Sequence, residues 1–124
     1  MKTHKKVTYT IDEDTLLQMD IVILMLFGKG KKVSKSEYIK NCLINSFDTF
    51  EEEIEEENIK LLKKLSTNLF GTKPITITLP FEVVEKLEYY SEKLGVKKSH
   101  LVMCSILLDS EWFIILSINF KYYF

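Results

Sequence analysis

The feature that most constrains the fold of this chain is a short alternating segment that occurs twice. Residues 6–12 read KVTYTID and residues 74–80 read PITITLP. Apolar and polar residues alternate in both segments, which is the period of a β-strand with one buried face. The residues predicted to point inward are Val7, Tyr9, Ile11, Ile75, Ile77 and Leu79. A single strand of this length is not stable alone, so each segment needs a partner strand.

A helical pattern follows each predicted strand. Asp12 and the acids after it favour a helix start after the first strand, because a capping carboxylate and negative charge suit a helix N-terminus. Pro80 is compatible with a helix start after the second strand. Apolar residues then recur at steps of three and four. The two helices are predicted to stop at Gly28 and at Gly95, since glycine commonly ends helices.

Each copy continues with a turn and a second helix. Ser34 and Glu37 have the spacing of a capping box, and residues 96–100 occupy the same place in the second copy. The first turn is longer by a basic loop, residues 29–32. The predicted order is strand, helix, turn, helix, and it occurs twice. The predicted fold is therefore mainly α with short β structure.

The chain divides into four predicted parts. Residues 1–48 form the first β-α-α unit, and residues 73–110 form the second. Residues 49–72 are predicted to form a connecting helix, with acids at its start and lysines later, an order that suits the helix dipole. Residues 111–124 form an apolar extension that contains three Phe, two Tyr and one Trp.

Composition narrows the possible functions. The net charge of −1 conceals a basic excess in residues 1–50, and every strongly basic residue is Lys because the chain has no Arg. Cys42 and Cys104 lie in apolar helical patterns and are interpreted as core residues. No nucleophile–base pair, metal-ligand spacing or glycine-rich phosphate loop is found in the sequence. We therefore predict no catalytic residue, no metal and no cofactor.

The apolar stretches bear on localisation. Residues 21–27 and 112–118 are the most apolar parts of the chain, and both are too short to span a bilayer. The N-terminus is followed by a strand pattern and not by an apolar signal core. These patterns predict a cytoplasmic protein without membrane contact.

One strand before two helices, with the Ser-Lys-Ser-Glu turn of residues 34–37 between the helices, resembles the ribbon-helix-helix family of DNA-binding proteins. The resemblance covers residues 6–48 and 73–110. It implies that two strands pair antiparallel and enter the major groove, where their outward side chains read bases. It also implies that the N-terminus of each second helix binds a backbone phosphate. The tandem arrangement is similar to transcription regulators encoded by archaeal viruses, for which the location would be the host cytoplasm.

The resemblance assigns site residues by position. The implied base-reading residues are Lys6, Thr8, Thr10, Thr76 and Thr78. Pro74 occupies the place of Lys6 but offers no N–H group and no polar tip. The implied phosphate-binding residues are Ser34, Lys35, Ser36, Lys97, Lys98 and Ser99, and further possible phosphate contacts are Lys29, Lys31 and Lys32. The first copy is thus predicted to supply most of the recognition.

The predicted function is a sequence-specific double-stranded DNA-binding regulator of transcription, and specifically a repressor. The alternative is an antitoxin that binds a toxin protein through the apolar C-terminal segment. A third hypothesis is a helical interaction protein with no DNA role. The same C-terminal segment predicts a homo-oligomer, since a large exposed apolar patch marks an interaction site. The strands can pair within one chain or between two chains, and the length of the connecting helix favours pairing within one chain.

Overall fold

A computed structural model describes residues 3–56 and 71–123, and the side chains of residues 3–54 and 71–110. The fold is mainly helical with one two-stranded sheet. The elements in chain order are β1 (His4–Asp12), α1 (Glu13–Gly28), α2 (Lys35–Glu56), β2 (Thr72–Pro80), α3 (Phe81–Leu94) and α4 (Lys98–Tyr123). The order strand, helix, helix in the N-terminal part agrees with the sequence prediction.

The sheet is an antiparallel ribbon made by β1 and β2 of the same chain. Thr8 lies opposite Thr76, so the centres of the two nine-residue strands coincide. The burial along both strands confirms the predicted alternation: the fully buried inward residues are Tyr9, Ile11, Ile77 and Leu79, and Val7 and Ile75 are half-buried. Of the two pairings that the sequence left open, the structure has the one within a single chain.

The helices of the N-terminal half (residues 3–56) and of the C-terminal half (residues 71–123) interleave. Helix α2 packs against β2, α3 and α4, all of which belong to the other half. Helix α4 packs in turn against β1 and α1. The fully buried Leu43 and Phe50 of α2 and Leu101 of α4 belong to one common core. Since neither half encloses a core of its own, the chain must fold as one unit.

Helix α1 ends at the predicted residue, and the turn after it supplies the left-handed conformation. The helix continues through Gly28, and Gly30 is the residue in the left-handed conformation, with φ of 84°. The Gly30 N–H donates to the Phe27 carbonyl and the Lys31 N–H to the Leu26 carbonyl, both at 2.9 Å. These two bonds form the Schellman arrangement that ends a helix. The predicted end of α1 at Gly28 is therefore confirmed, while the left-handed residue that follows is Gly30. The prediction for α3 is confirmed, because Gly95 follows its last residue with φ of 64°.

The starts of α2 and α1 lie where the sequence predicts them, but only the first has its side-chain cap. The Glu37 N–H donates to Ser34 Oγ at 3.1 Å, as the capping box predicts. Asp12 is the N-cap residue of α1, as predicted, and two acids follow it in the first turn, but the Asp12 side chain makes no capping hydrogen bond. The Glu13 N–H instead donates to the Gly71 carbonyl at 3.0 Å. This bond ties the start of α1 to the residue before β2.

Two predicted boundaries fall inside helices. Helix α2 runs without a break through residue 56, so residues 49–56 of the predicted connecting helix continue the second helix of the first unit. The rest of that prediction, residues 57–70, lies outside the described residues. Helix α4 likewise continues through residues 111–123, and the side chains of this predicted apolar extension lie outside the described residues.

The buried cysteines give a first test of the core. Cys42 and Cys104 are 1% and 0% exposed. Burial raises the pKa of Cys104 to about 12. Burial and then the nearby Asp109 carboxylate raise the pKa of Cys42 further. Because the thiolate is the reactive form, we expect neither thiol to react with a disulfide reagent at pH 8 while the protein is folded.

Full denaturation should release two reactive thiols per chain, and mild denaturant should couple the labelling rate to unfolding. The measurement is the rate of thiol labelling at increasing urea. Rapid labelling of the native protein would contradict the packing described for α2 and α4.

Candidate nucleic-acid interface

The outer face of the ribbon is a row of exposed side chains. All of the predicted base-reading residues lie on it, together with Pro74: Lys6, Thr8, Thr10, Thr76 and Thr78. At its centre Thr8 Oγ1 lies 2.9 Å from Thr76 Oγ1, so the two hydroxyls share a hydrogen bond. A hydroxyl donates one hydrogen bond and accepts two. The pair therefore retains one donor and acceptor capacity for a ligand.

The two ends of the ribbon carry different chemistry. Thr8 and Thr76 occupy the same place in their strands, so a local two-fold axis passes between them. At one end Lys6 lies opposite Thr78, and at the other Thr10 lies opposite Pro74. The backbone geometry is thus nearly symmetric, whereas the positive charge on the outer face lies at one end.

Helix α2 begins at the outer edge of β2. The Thr78 N–H donates to Ser36 Oγ at 3.0 Å, which holds the first turn of the helix against the strand. This contact satisfies a strand N–H that faces away from β1. The predicted phosphate ligand Ser36 thus has a structural hydrogen bond already, and its hydroxyl proton can still be donated.

Helix α4 begins beside β1 in the corresponding way. The Leu101 N–H donates to the Lys97 carbonyl at 3.1 Å, so Lys97 is the N-cap residue directly before α4. Lys98 and Ser99 line a cleft with Thr10 of the strand. At each helix start the first backbone N–H groups have no acceptor within the helix. The fold therefore sets one helix N-terminus at each edge of the ribbon.

Two clefts lie between the ribbon and the helices. The β1 cleft is lined by Lys5, Thr10, Glu88, Lys98 and Ser99 among others. The β2 cleft is lined by Glu13, Leu17, Asp20, Lys35 and Lys73 among others. Each cleft thus combines a lysine from a strand, the first lysine of a second helix, and a carboxylate from a first helix. In the β1 cleft two lysines outweigh one carboxylate, whereas in the β2 cleft two lysines are balanced by two carboxylates. The β1 cleft is therefore the more favourable of the two for a phosphate.

The sequence prediction missed Lys5 and Lys73. Strict alternation assigns both to the inward face, yet both are exposed and line the two clefts near the ends of the ribbon. One signal could have identified them. The second residue of each strand is a lysine, and a fold that needed only an apolar inward face would not require a lysine at that place.

The charged groups in the clefts are solvent-accessible. Lys98 Nζ lies 3.7 Å from Glu88 Oε1, and the two side chains are 45% and 49% exposed. An exposed pair of this kind contributes little stability, so Lys98 can exchange the carboxylate for a phosphate. For Lys35, the part of the chain that the structure describes contains no ion pair.

Other predicted phosphate contacts lie elsewhere. Lys29, Lys31 and Lys32 are exposed in the turn between α1 and α2. They are not among the residues that line either cleft. The structure therefore brings Lys35, Lys98 and Ser99 next to the ribbon but does not join the basic loop to them.

No protein-family model, no curated protein and no solved structure matches this chain. The resemblance to the ribbon-helix-helix family therefore remains a prediction from the sequence. Among the helices within the described ranges, none has the length and apolar character needed to cross a membrane.

Proposed function

We propose that this protein is a sequence-specific double-stranded DNA-binding regulator of transcription, with two ribbon-helix-helix units in one chain. The observation that carries the proposal is the exposed antiparallel ribbon, with a helix N-terminus beside each edge. On this proposal the ribbon enters the major groove. Occupation of promoter DNA then represses transcription by excluding other proteins.

The shape of the ribbon supports this placement. The major groove is about 12 Å wide and admits a two-stranded β-ribbon. Thr8, Thr10, Thr76 and Thr78 are short, so the backbone of the ribbon can approach the bases closely. A threonine methyl group can contact the methyl group of thymine. With four threonines on its outer face and no arginine in the chain, the ribbon favours sites rich in A·T pairs.

The helix starts support the same placement. A ribbon in the groove has one sugar-phosphate backbone along each of its edges, and these are the edges where α2 and α4 begin. Backbone N–H groups at a helix start, together with the dipole, favour an anion. Lys35 and Lys98 then act as point charges on phosphates. These contacts add affinity without reading sequence.

The unequal ends of the ribbon define the kind of operator. A symmetric ribbon would read an inverted repeat. Here the local two-fold axis relates Lys6 of β1 to Pro74 of β2, so the two ends of the outer face present different side chains to the DNA. The proposed operator is therefore non-palindromic, with its polar contacts concentrated on the side of Lys6.

A thymine-methyl experiment tests the base-reading role of the ribbon. The tightest duplex is first selected from a random pool, and each thymine is then replaced by deoxyuridine. We expect the native protein to lose about fourfold in affinity at a contacted thymine, as one buried methyl group is worth about 0.8 kcal/mol. At the thymines that β1 contacts, the Thr8→Ala, Thr10→Ala double variant should lose most of this preference, because it lacks the threonine γ-methyl groups.

The matched control is Lys35→Ala, which should weaken binding to both duplexes by the same factor because it removes a phosphate contact. The measurement is fluorescence anisotropy at constant salt. A double variant that still distinguishes thymine from deoxyuridine at every position would refute base reading by β1.

A further inference from the structure

Helix α1 exposes a stripe of large apolar residues. Leu17, Ile21, Leu24 and Phe27 are 61%, 41%, 68% and 62% exposed. Their spacings of four, three and three residues place them on one face of the helix. The opposite face is buried in the core through residues such as Leu16 and Met19. The stripe is therefore additional to the apolar face that the fold uses.

The corresponding face of α3 shows that the fold does not require an apolar stripe. Both helices start directly after their strand, and both bury their third, fourth, seventh and tenth residues. The places of Leu17, Ile21 and Leu24 in α1 are taken in α3 by Glu85, Tyr89 and Glu92. All three of these α3 residues are exposed. The apolar character is thus a property of α1 alone.

The area of the stripe matches a protein interface. Four large apolar residues that are each about half to two-thirds exposed form a patch on the order of a few hundred Å², which is the size of patch that often has a function. An interface of standard size buries about 800 Å² per partner, and somewhat more than half of that is apolar. The stripe supplies most of the apolar area that one side of such an interface needs.

The charges at the two ends of the stripe are self-complementary. Glu13 is exposed before its N-terminal end, and Lys31 and Lys32 are exposed just beyond its C-terminal end, while the exposed Asp20 lies within the stripe between Leu17 and Ile21. A second α1 packed antiparallel that sets Leu17 level with Phe27 also brings Glu13 close to Lys31. A parallel arrangement would instead bring like charges together, which is unfavourable.

From this combination we infer that the α1 stripe binds the α1 stripe of a second copy of this chain, as an antiparallel helix pair about a two-fold axis. The interface is isologous, with Ile21 and Leu24 at its centre. It leaves the outer face of the ribbon accessible, since Lys6, Thr8 and Thr10 lie on the opposite side of β1 from the helices. It borders the β2 cleft, because Glu13, Leu17 and Asp20 line that cleft as well. It is also distinct from the C-terminal segment that the sequence predicts as the oligomer contact.

Sedimentation of the native full chain without DNA tests the inference. We expect a monomer–dimer equilibrium. Ile21→Glu should raise the dissociation constant on the order of 100-fold, since an unpaired charge buried at the centre of an interface costs as much binding energy as the loss of a hot-spot residue. The matched control is Tyr89→Glu, at the same place in α3, which should dimerise like the native protein. Leu24→Glu repeats the test at a more exposed position.

A charge exchange tests the antiparallel orientation. Glu13→Lys alone and Lys31→Glu alone should each weaken the dimer by about tenfold, because two attractive contacts become repulsive. The two substitutions in one chain should restore the dissociation constant to near its native value. Additive weakening in the double variant would overturn the antiparallel pair.

Three other results would overturn the inference. The first is a native chain that is monomeric at all concentrations, and the second is a dimer that persists in both Ile21→Glu and Leu24→Glu. The third is a chain that never dimerises and whose melting temperature both substitutions lower. The last result means that the stripe is covered by the chain's own residues. None of these outcomes depends on DNA binding, so a failure here is distinguishable from a failure of the proposed function.

Discussion

Replacing Phe50 with alanine is expected to lower the free energy of unfolding by about 3–5 kcal/mol. Phe50 of α2 is 0% exposed. Its ring lies edge-on to Phe47 of the same helix and to Tyr90 of α3, with centroid distances of 6.4 and 5.8 Å. Phe47 and Tyr90 are stacked at 5.4 Å. The cluster therefore joins the N-terminal half of the chain to the C-terminal half.

The substitution leaves a cavity where the halves interleave, in a protein whose total stability is expected to be only about 5–15 kcal/mol. Urea denaturation followed by circular dichroism measures the loss. The matched control is Phe81→Ala, because Phe81 is 37% exposed and lies outside the aromatic cluster, so its loss should be clearly smaller than that of Phe50→Ala. Equal losses for the two variants would mean that the aromatic cluster does not hold the two halves together.

Reversing the charge of the first lysine in each second helix should nearly abolish DNA binding. For the Lys35→Glu, Lys98→Glu double variant we expect a loss on the order of 100-fold or more in affinity, since each charged hydrogen bond to a phosphate contributes about 1.5–3 kcal/mol. The slope of log affinity against log salt should also fall by about 2, because two phosphate contacts are removed.

The control carries the same change of charge at a different place. Lys86 and Lys93 belong to α3, and their ammonium groups lie over the rings of Phe47 and Tyr89, away from both clefts. The Lys86→Glu, Lys93→Glu variant should keep most of the affinity. A similar loss in both double variants would show that net charge alone governs binding, and the proposed phosphate sites would then be wrong.

Local patterns predicted local structure well. The period of two in β1 and β2 identified the face that Tyr9 and Ile77 bury, because alternation is a property of the strand itself. The glycine after α3 and the cap before α2 were also readable, since each depends on neighbouring residues only. The end of α1 at Gly28 was predicted as well, whereas the left-handed position at Gly30 is set by the hydrogen bonds of the turn.

Features that depend on contacts between distant parts of the chain could not be predicted from the sequence. No local pattern shows that α2 packs on β2 and α4 on β1, since these contacts join residues far apart in the chain. The same reason explains why Lys5 and Lys73 were missed: whether the inward face is covered at a strand end depends on the helix that crosses it. The proposed site residues on the outer face needed only the alternation, and these the structure places together on one surface.

Methylation interference on a selected operator is the most direct test of the claim that the ribbon lies in the major groove. Guanine N7 lies in the major groove and adenine N3 in the minor groove, and dimethyl sulfate methylates both. We predict salt-sensitive binding that methylation of guanine N7 inside the site blocks and methylation of adenine N3 does not. Absence of salt-sensitive binding, or interference from adenine N3 alone, would contradict the account.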